Sequence, residues 1–431
     1  MTVRNFLFAS WEGGGSIGPA LTVVRKLVER GHRVRFMSDR CNRPEAEASG
    51  AHFVPWTRAP SRPDRGRGSD VLRDWEVGPR EGMERTLDNI MLGPSLAYAE
   101  DLIEELKREP ADLVVANEMM FGAMAGCEAV GQKLALLSCN ICVYPLIEGM
   151  PPLGPGLPPA RTEEERGVLA AMAASNRDML NSRLSALNAA RAALGLAPLG
   201  DVHDQLQAAE VLLLGTSRAF DFDTAELPPF VRYVGPQLDD PAWAAPWRSP
   251  WPAGDRRPLV LVGFSTSFQN HVALLQRVID AAADMPVRLL VTLGAAIDPG
   301  ELRPAANSVL VRSAPHNEVM RDAALVVTHG GHGTVTRALA HQLPMLVVPL
   351  GRDQNDNAVR ITERGAGLSL PPGADAGTIR DALGRLLAEP AFAEAAASLG
   401  ERVAADVANS PVVEELEALA APAANGARRA A

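Results

Sequence analysis

Two series of short apolar runs, each alternating with amphipathic stretches, organise the chain. The first series opens with "NFLFAS", a glycine turn "WEGGGSIG" and then "PALTVVRKLVERG", where Leu21, Val24, Leu27 and Val28 share one helical face. Pro19 suits the first turn of that helix and Gly31 its C-terminal cap. "RVRFMS", "ADLVVA", "KLALLS" and "EVLLLGTS" read as further strands, with a helix through "GAMAGCEAVG". The rhythm then stops, because from Phe222 to Pro258 the chain is dense in proline and tryptophan, as interdomain linkers are. It restarts with "PLVLVGFSTS", a helix through "HVALLQRVIDAAA", and the strands "VRLLVTLG", "VLVRSA", "AALVVTHG" and "PMLVVPLG". Ala/Glu/Leu-rich helices from about Ile379 to Leu419 close it.

Short β-rich runs separated by helices imply parallel sheets covered on both faces. At roughly 150 residues per domain, 431 residues suit two such domains or three. The expected fold is therefore α/β, with two Rossmann-like domains facing a cleft: 1–221, a linker at 222–257, 258–420, and a disordered tail at 421–431. Two segments, 57–94 and 144–166, break the alternation with Pro, Gly and charge. Loops of that length in a compact domain are more often functional than idle. These two should flank the C-terminal strand ends, where open α/β sheets bind ligands, as a substrate lid or pocket wall.

Composition narrows the function. Apolar residues make up 47% of the chain, yet no run approaches the roughly 20 residues that cross a bilayer. The opening "MTVRNFLFAS" carries one Arg and no long apolar stretch before a cleavage site, so a cytoplasmic location is expected. A net charge of −10 with no basic cluster argues against nucleic acid as a partner. Lysine occurs only at Lys26, Lys107 and Lys133, the bias of a GC-rich bacterial genome. The 4 cysteines are too few for a disulfide scaffold, and the pair Cys139 and Cys142 lacks the helix N-terminus that would activate a redox thiol.

Two glycine-rich turns carry candidate chemistry. Gly13, Gly15 and Gly18 follow a strand and precede a helix, and Asp39 ends the second strand, which is the layout of an NAD-binding fingerprint. The second turn lies in "AALVVTHGGHGTVTRALAHQLPMLVVPLGRDQNDNAVRITERGAG". A buried strand ends there in His329, followed by Gly330, Gly331, Gly333, Thr334 and a helix. Backbone N–H groups freed by glycine at a helix N-terminus make an anion site, and His329 and Thr334 add side-chain donors. A further strand leads to Asp353 and Gln354, placed to pair with hydroxyls of a polyol. No metal site is expected. "DFD" at Asp221 to Asp223 sits at the linker, His329 and His332 lack a suitably spaced carboxylate, and "DQNDN" has Ala358 and Arg364 where a calcium loop needs Gly and Glu.

The block from Thr328 to Gly367 resembles the donor-binding signature of the family 1 glycosyltransferases, GT-B fold enzymes that include plant and bacterial natural-product glucosyltransferases. The resemblance covers essentially the whole chain. It implies an acceptor-binding N-terminal domain, a nucleotide-sugar-binding C-terminal domain, and metal-independent, inverting transfer. The donor would be a TDP- or UDP-linked sugar, acting as co-substrate with no other cofactor. The acceptor would be a hydrophobic small molecule, polyketide or phenolic, and the protein a monomer or homodimer. His329 and the backbone of Gly331, His332, Gly333 and Thr334 would hold the diphosphate, joined by Ser265 and Thr266 of "GFSTS". Asp353 and Gln354 would bind sugar hydroxyls. "RSAPHNEVM" matches the nucleobase segment, with His316 where many members carry Gln, and with Ser313 in place of the stacking aromatic, a role left to Arg312. Arg337 replaces a ribose-binding Glu, which favours TDP, whose sugar lacks the 2′-hydroxyl.

On the acceptor side the resemblance implies a catalytic His/Asp dyad, and here both members are replaced. Counting back from Pro19, the His position is Ser16, and matching "VVANEMMFGA" gives Asn117 at the Asp position. Serine is no general base near neutrality and Asn cannot polarise one. Glu12, Glu118, Asp74 and Glu76 are the substitutes considered, although on a strand Glu118 would point away from Asn117. A phenol of pKa about 10 would need less help than an alkyl alcohol. Met119, Met120, Phe121, Met124, Trp75, Met83 and Tyr144 either line an aglycone pocket or pack the core. The other readings are a catalytically weak nucleotide-sugar-binding protein and an NAD(P)-dependent oxidoreductase.

Overall fold

A computed structural model describes residues 2–224, 226–240, 246–265, 267–295 and 297–422. The first half forms a seven-stranded sheet of β1 (Asn5–Ala9), β2 (Arg33–Ser38), β3 (His52–Pro55), β4 (Leu113–Asn117), β5 (Leu134–Ser138), β6 (Val211–Leu214) and β7 (Val231–Tyr233). Its order is β3-β2-β1-β4-β5-β6-β7, and every neighbouring pair is parallel. The second half forms a six-stranded sheet of β8 (Leu259–Gly263), β9 (Arg288–Thr292), β10 (Ser308–Val311), β11 (Ala323–Thr328), β12 (Met345–Val347) and β13 (Gly367–Ser369). Its order is β10-β9-β8-β11-β12-β13, again all parallel.

Each strand feeds two cores because successive side chains leave on opposite faces. Phe6, Phe8, Val34, Phe36, Leu113 and Val115 pack on one side of the first sheet. Leu7, Ala9, Met37, Val114 and Ala116 pack on the other. Burial on both faces is why these runs read as continuously apolar. The helix Ile17–Glu29 covers the first of these faces with Leu21, Val24 and Leu27, and Gly31 ends it at φ 87°.

Two elements depart from the linear reading. The stretch 222–257, expected as a linker, contributes β7, which pairs with β6 and completes the first sheet. The closing helix Val412–Ala420, expected with the second half, returns to the first, where Val412, Val413, Leu416 and Ala420 join the core of Phe6 and Val24. Glu417 meets His32 at 2.8 Å and Arg30 at 3.0 Å to secure that return. Residues 423–431, the expected tail, lie outside the described residues.

A buried ion pair joins the halves. Arg360, on the helix Gln354–Thr362, donates from Nε at 2.9 Å and Nη2 at 2.7 Å to Oδ1 of Asp221, and Tyr233 donates to Oδ2 at 2.7 Å. The two paired side chains are only 5% and 1% exposed. This arrangement occupies the first carboxylate of "DFD". Removing one partner of a buried pair strands the other charge. Asp221→Ala should therefore lower unfolding stability by about 3–5 kcal/mol, read as a lower urea midpoint. Asp221→Asn, which keeps an acceptor for Arg360, should cost less; wild-type midpoints for both would contradict this account.

Candidate active site

Strand order reverses between β1 and β4 in the first sheet and between β8 and β11 in the second. Open α/β sheets bind ligands in the crevice outside the C-terminal strand ends at such reversals. The loops after these four strands carry Trp11 and Glu12, Glu118, Ser265, and His329.

On the second-half side, the helix His332–Ala340 starts just after His329, and the leading N–H groups of a helix lack intrahelical partners. His329 stacks on Phe264 with ring centroids 6.0 Å apart, and a Cβ at Gly331 would lie 2.7 Å from its ring. Burial, helped by His271 and Arg352, lowers its pKa to about 3, so the ring is neutral. Asp353 precedes the helix Gln354–Thr362 and accepts from Asn357 at 2.7 Å and from Asn140 of the first half. Burial raises its carboxyl pKa.

Other expected donor residues are placed differently. His332 turns its Nε2 to Thr216 Oγ1 at 2.8 Å and its ring edge to Phe220, so its side chain ties the two halves together. Gln354 is 1% exposed. Its Oε1 accepts from the backbone of Leu350 at 2.7 Å and Gly351 at 3.2 Å, and its Nε2 donates to Gln269 Oε1 at 2.9 Å. Its side chain thus braces a turn, because a buried amide must satisfy both ends. Gln269 in turn donates to Ser265 Oγ at 2.8 Å. Sequence reading passed over Gln269, whose signal was its place four residues after Ser265. Thr266 lies outside the described residues. His316 sits beneath Gly263 with Nε2 3.3 Å from Thr292 Oγ1, and burial lowers its pKa to about 4. Arg312 is exposed at the end of β10, and Arg337 donates to Leu238 O at 3.1 Å and Asn317 Oδ1 at 3.2 Å.

On the first-half side, β4 ends at Asn117, so the strand alternation that would turn Glu118 away no longer applies. Asn117 Nδ2 donates to Glu118 Oε2 at 2.6 Å and Ser138 Oγ to Oε1 at 3.1 Å. Trp11 Nε1 donates to Asn117 Oδ1 at 3.3 Å, and Tyr144 OH to the Glu118 carbonyl at 2.7 Å. Glu118 is 4% exposed. Burial, with a contribution from the charge of Asp353, raises its pKa to about 7. Its carboxylate is held by neutral donors.

The other candidate bases are already engaged. Glu12 accepts from Arg65 Nε at 3.1 Å and from Gly14 N–H at 3.0 Å. Asp74 takes Arg352 in two hydrogen bonds of 2.7 and 3.1 Å, and Glu76 is exposed. Ser16 Oγ is buried without a partner, close to Gly13.

The dinucleotide reading of the first glycine turn fails on packing. Asp39 accepts from the backbone of Glu12 at 2.8 Å and of Arg62 at 2.7 Å, bracing two loops. A Cβ at Gly18 would meet nothing within 4 Å, whereas the fingerprint needs glycine there for close packing of helix on strand. Met120, Phe121 and Met124 are fully buried core. A recess between the halves is lined instead by apolar Trp11, Val71, Leu72 and Ile90 and by charged Glu12, Asp39, Arg62 and Asp70, with Ser267 and Arg352 of the second half. Cys139 and Cys142 are free thiols whose pKa values burial raises. Among the described residues no cluster of His, Cys, Asp or Glu is placed to hold a metal ion, and no helix is long and apolar enough to cross a membrane.

Comparison with known proteins decides the family. The model of the erythromycin biosynthesis protein CIII-like C-terminal domain matches residues 276–419. The chain is 30% identical to the 4'-demethylrebeccamycin synthase of Lentzea aerocolonigenes over 96% of its own length and 99% of that protein's. The chain belongs to the family 1 glycosyltransferases of natural-product biosynthesis.

The demethyllactenocin mycarosyltransferase of Streptomyces fradiae is 26% identical over 83% of this glycosyltransferase and 74% of its own chain. The crystal structure of CalG4, the calicheamicin glycosyltransferase, covers 97% of the enzyme and 98% of its own chain at 22% identity with a TM-score of 0.75. Its fold is thus GT-B, and its relatives include a mycarosyltransferase and a calicheamicin glycosyltransferase. The oxidoreductase and binding-protein readings give way.

The raised pKa of Glu118 has a consequence for stability. Its ordinary value is 4.5 and its folded value about 7, so across that interval the folded enzyme binds the extra proton. Stability contributed by the protonated form is present below pH 4.5 and is lost as pH rises through 7. From pH 5 to 8 the stability of wild type relative to Glu118→Gln should fall by about 2–3 kcal/mol. Urea unfolding at both pH values tests this, and a pH-independent difference would reject it.

Proposed function

We propose that the enzyme transfers a sugar, with inversion, from a TDP- or UDP-linked donor to a hydrophobic polyketide or phenolic acceptor, with Glu118 as general base. The observation that carries this reading is the buried carboxylate of Glu118 just after β4, of pKa about 7, held by Asn117 and Ser138 and within the electrostatic reach of Asp353. A base is most effective when its pKa lies near the working pH. Serine at 16 and Asn at 117 leave the dyad without a base, and Glu118, one residue on, takes over its work.

In this mechanism the acceptor lies along Trp11, Val71, Leu72 and Ile90. Glu118 accepts the proton of its hydroxyl while the oxygen attacks the anomeric carbon from the face opposite the nucleotide. The bond from that carbon to the diphosphate oxygen breaks, and the departing diphosphate takes up the negative charge. His329, neutral and therefore both donor and acceptor, and the N-terminus of the helix His332–Ala340 stabilise that charge as it develops. Asp353 binds sugar hydroxyls. Ser265 contacts the phosphates, and Gln354 acts through Gln269 and its turn to position it. The nucleobase segment is represented by Arg312 and His316. The scheme requires neither a metal nor a cofactor.

The test is turnover of a panel of UDP- and TDP-sugars with phenolic and polyketide acceptors, read by product mass. With an acceptor in hand, Glu118→Gln should lower kcat by about 10²–10⁴-fold with little change in donor KM. The wild-type kcat should fall below pH 7 as Glu118 becomes protonated. Wild-type turnover by Glu118→Gln, or a rate flat through that pH, would refute Glu118 as the base.

A further inference from the structure

Arg352 stands immediately before Asp353 and connects three parts of the cleft. Its Nε and Nη2 donate to the two carboxylate oxygens of Asp74, in the segment 57–94, at 2.7 and 3.1 Å. Its Nη1 donates at 3.1 Å to Ser267 Oγ, which lies 3.1 Å from Ser265 Oγ. The next residue to Asp74, Trp75, packs edge-on against Phe268 with centroids 5.2 Å apart. The backbone of Arg352 is left-handed, at φ 57°, a conformation in which a long side chain persists only when its surroundings hold it.

The arrangement exceeds an ordinary surface ion pair. The side chains of Arg352 and Asp74 are 29% and 19% exposed, and two-point pairing of guanidinium and carboxylate fixes orientation as well as distance. Val71 and Leu72, three and two positions before Asp74, contribute to the recess wall. Moving Asp74 away from Arg352 would therefore withdraw that wall and open the recess to water.

We propose that Arg352 and Asp74 form a latch that couples seating of the donor to closure of the segment 57–94 over the acceptor. Both are positioning residues. The inference rests on the reading above that Ser265 and Asp353 hold the donor. A donor that settles Ser265, Ser267 and Asp353 holds Arg352 in the geometry Asp74 requires, and a closed segment returns the favour by holding Arg352 against Ser267. Closure excludes water, so a broken latch should let the donor hydrolyse.

A double-mutant cycle tests this. Asp74→Asn and Arg352→Gln should each lower acceptor kcat/KM by about tenfold, with KM for the acceptor rising more than kcat falls. Each should also release more nucleoside diphosphate per product formed. The double variant should be no worse than the worse single variant, and the charge-exchanged D74R/R352D should recover part of the loss. Losses that multiply in the double variant would overturn the latch. A second measurement needs no acceptor: thymidine or uridine diphosphate should slow amide hydrogen exchange in residues 67–76 of the wild type and not in Asp74→Asn. Equal slowing in both proteins would overturn the proposal. Because this readout survives the lack of any accepted aglycone, failure of the latch and failure of the transfer reading are distinguishable.

Discussion

The buried pair of Asp221 and Arg360 sets one sheet against the other, and the site depends on that setting. Arg360 lies on the helix Gln354–Thr362, whose first turn follows Asp353. The same helix is fastened at further points. Asp356 accepts the N–H groups of Gly154 at 2.7 Å and Gly156 at 3.1 Å, and Asp353 meets Asn140. Gly156, at φ 68°, passes so near Asn355 that a Cβ would lie 2.6 Å from its carbonyl oxygen, so only glycine fits. The two long insertions thus grip the residues on either side of Asp353, one through Arg352 and the other through Asn355 and Asp356. Asp353 is held by Asn357 of its own helix and by Asn140 from the first half.

Desolvation then tunes both sides of that cleft in opposite senses. Burial disfavours the charged form of any group, so it lowers the pKa of a base and raises that of an acid. His329 is driven to about 3 and remains a neutral hydrogen-bonding ring, while Glu118 is driven to about 7. One physical cause yields a neutral ring just before the helix His332–Ala340 and a carboxylate able to exchange a proton near neutrality. The cost appears in stability, which Glu118 lowers as pH rises through 7.

Much was legible in order. Alternating apolar runs and helical faces such as Leu21, Val24 and Leu27 reveal parallel strands and their covers, since burial on two faces or one stripe leaves a periodic trace. The helix start at His332 was legible in "HGGHGT" for the same kind of reason: a helix start and its glycines are local features. β7 escaped notice within a proline-rich stretch, because three residues are too short for a period to register. The helix Val412–Ala420 was visible as amphipathic, but an amphipathic stripe does not say which sheet it covers.

The sequence by itself determined the two α/β halves and the glycine turn at His329, with Ser at 16 and Asn at 117. Tertiary structure alone decided which of the candidate carboxylates is paired with a guanidinium and which is held by neutral donors. Glu12, Asp74 and Glu118 all carry a carboxylate, and their neighbours separate them: Arg65 for the first, Arg352 for the second, Asn117 and Ser138 for the third. Those neighbours come from distant segments. An ion pair between positions 74 and 352, or a burial shift at position 118, is a property of packing that no local pattern encodes.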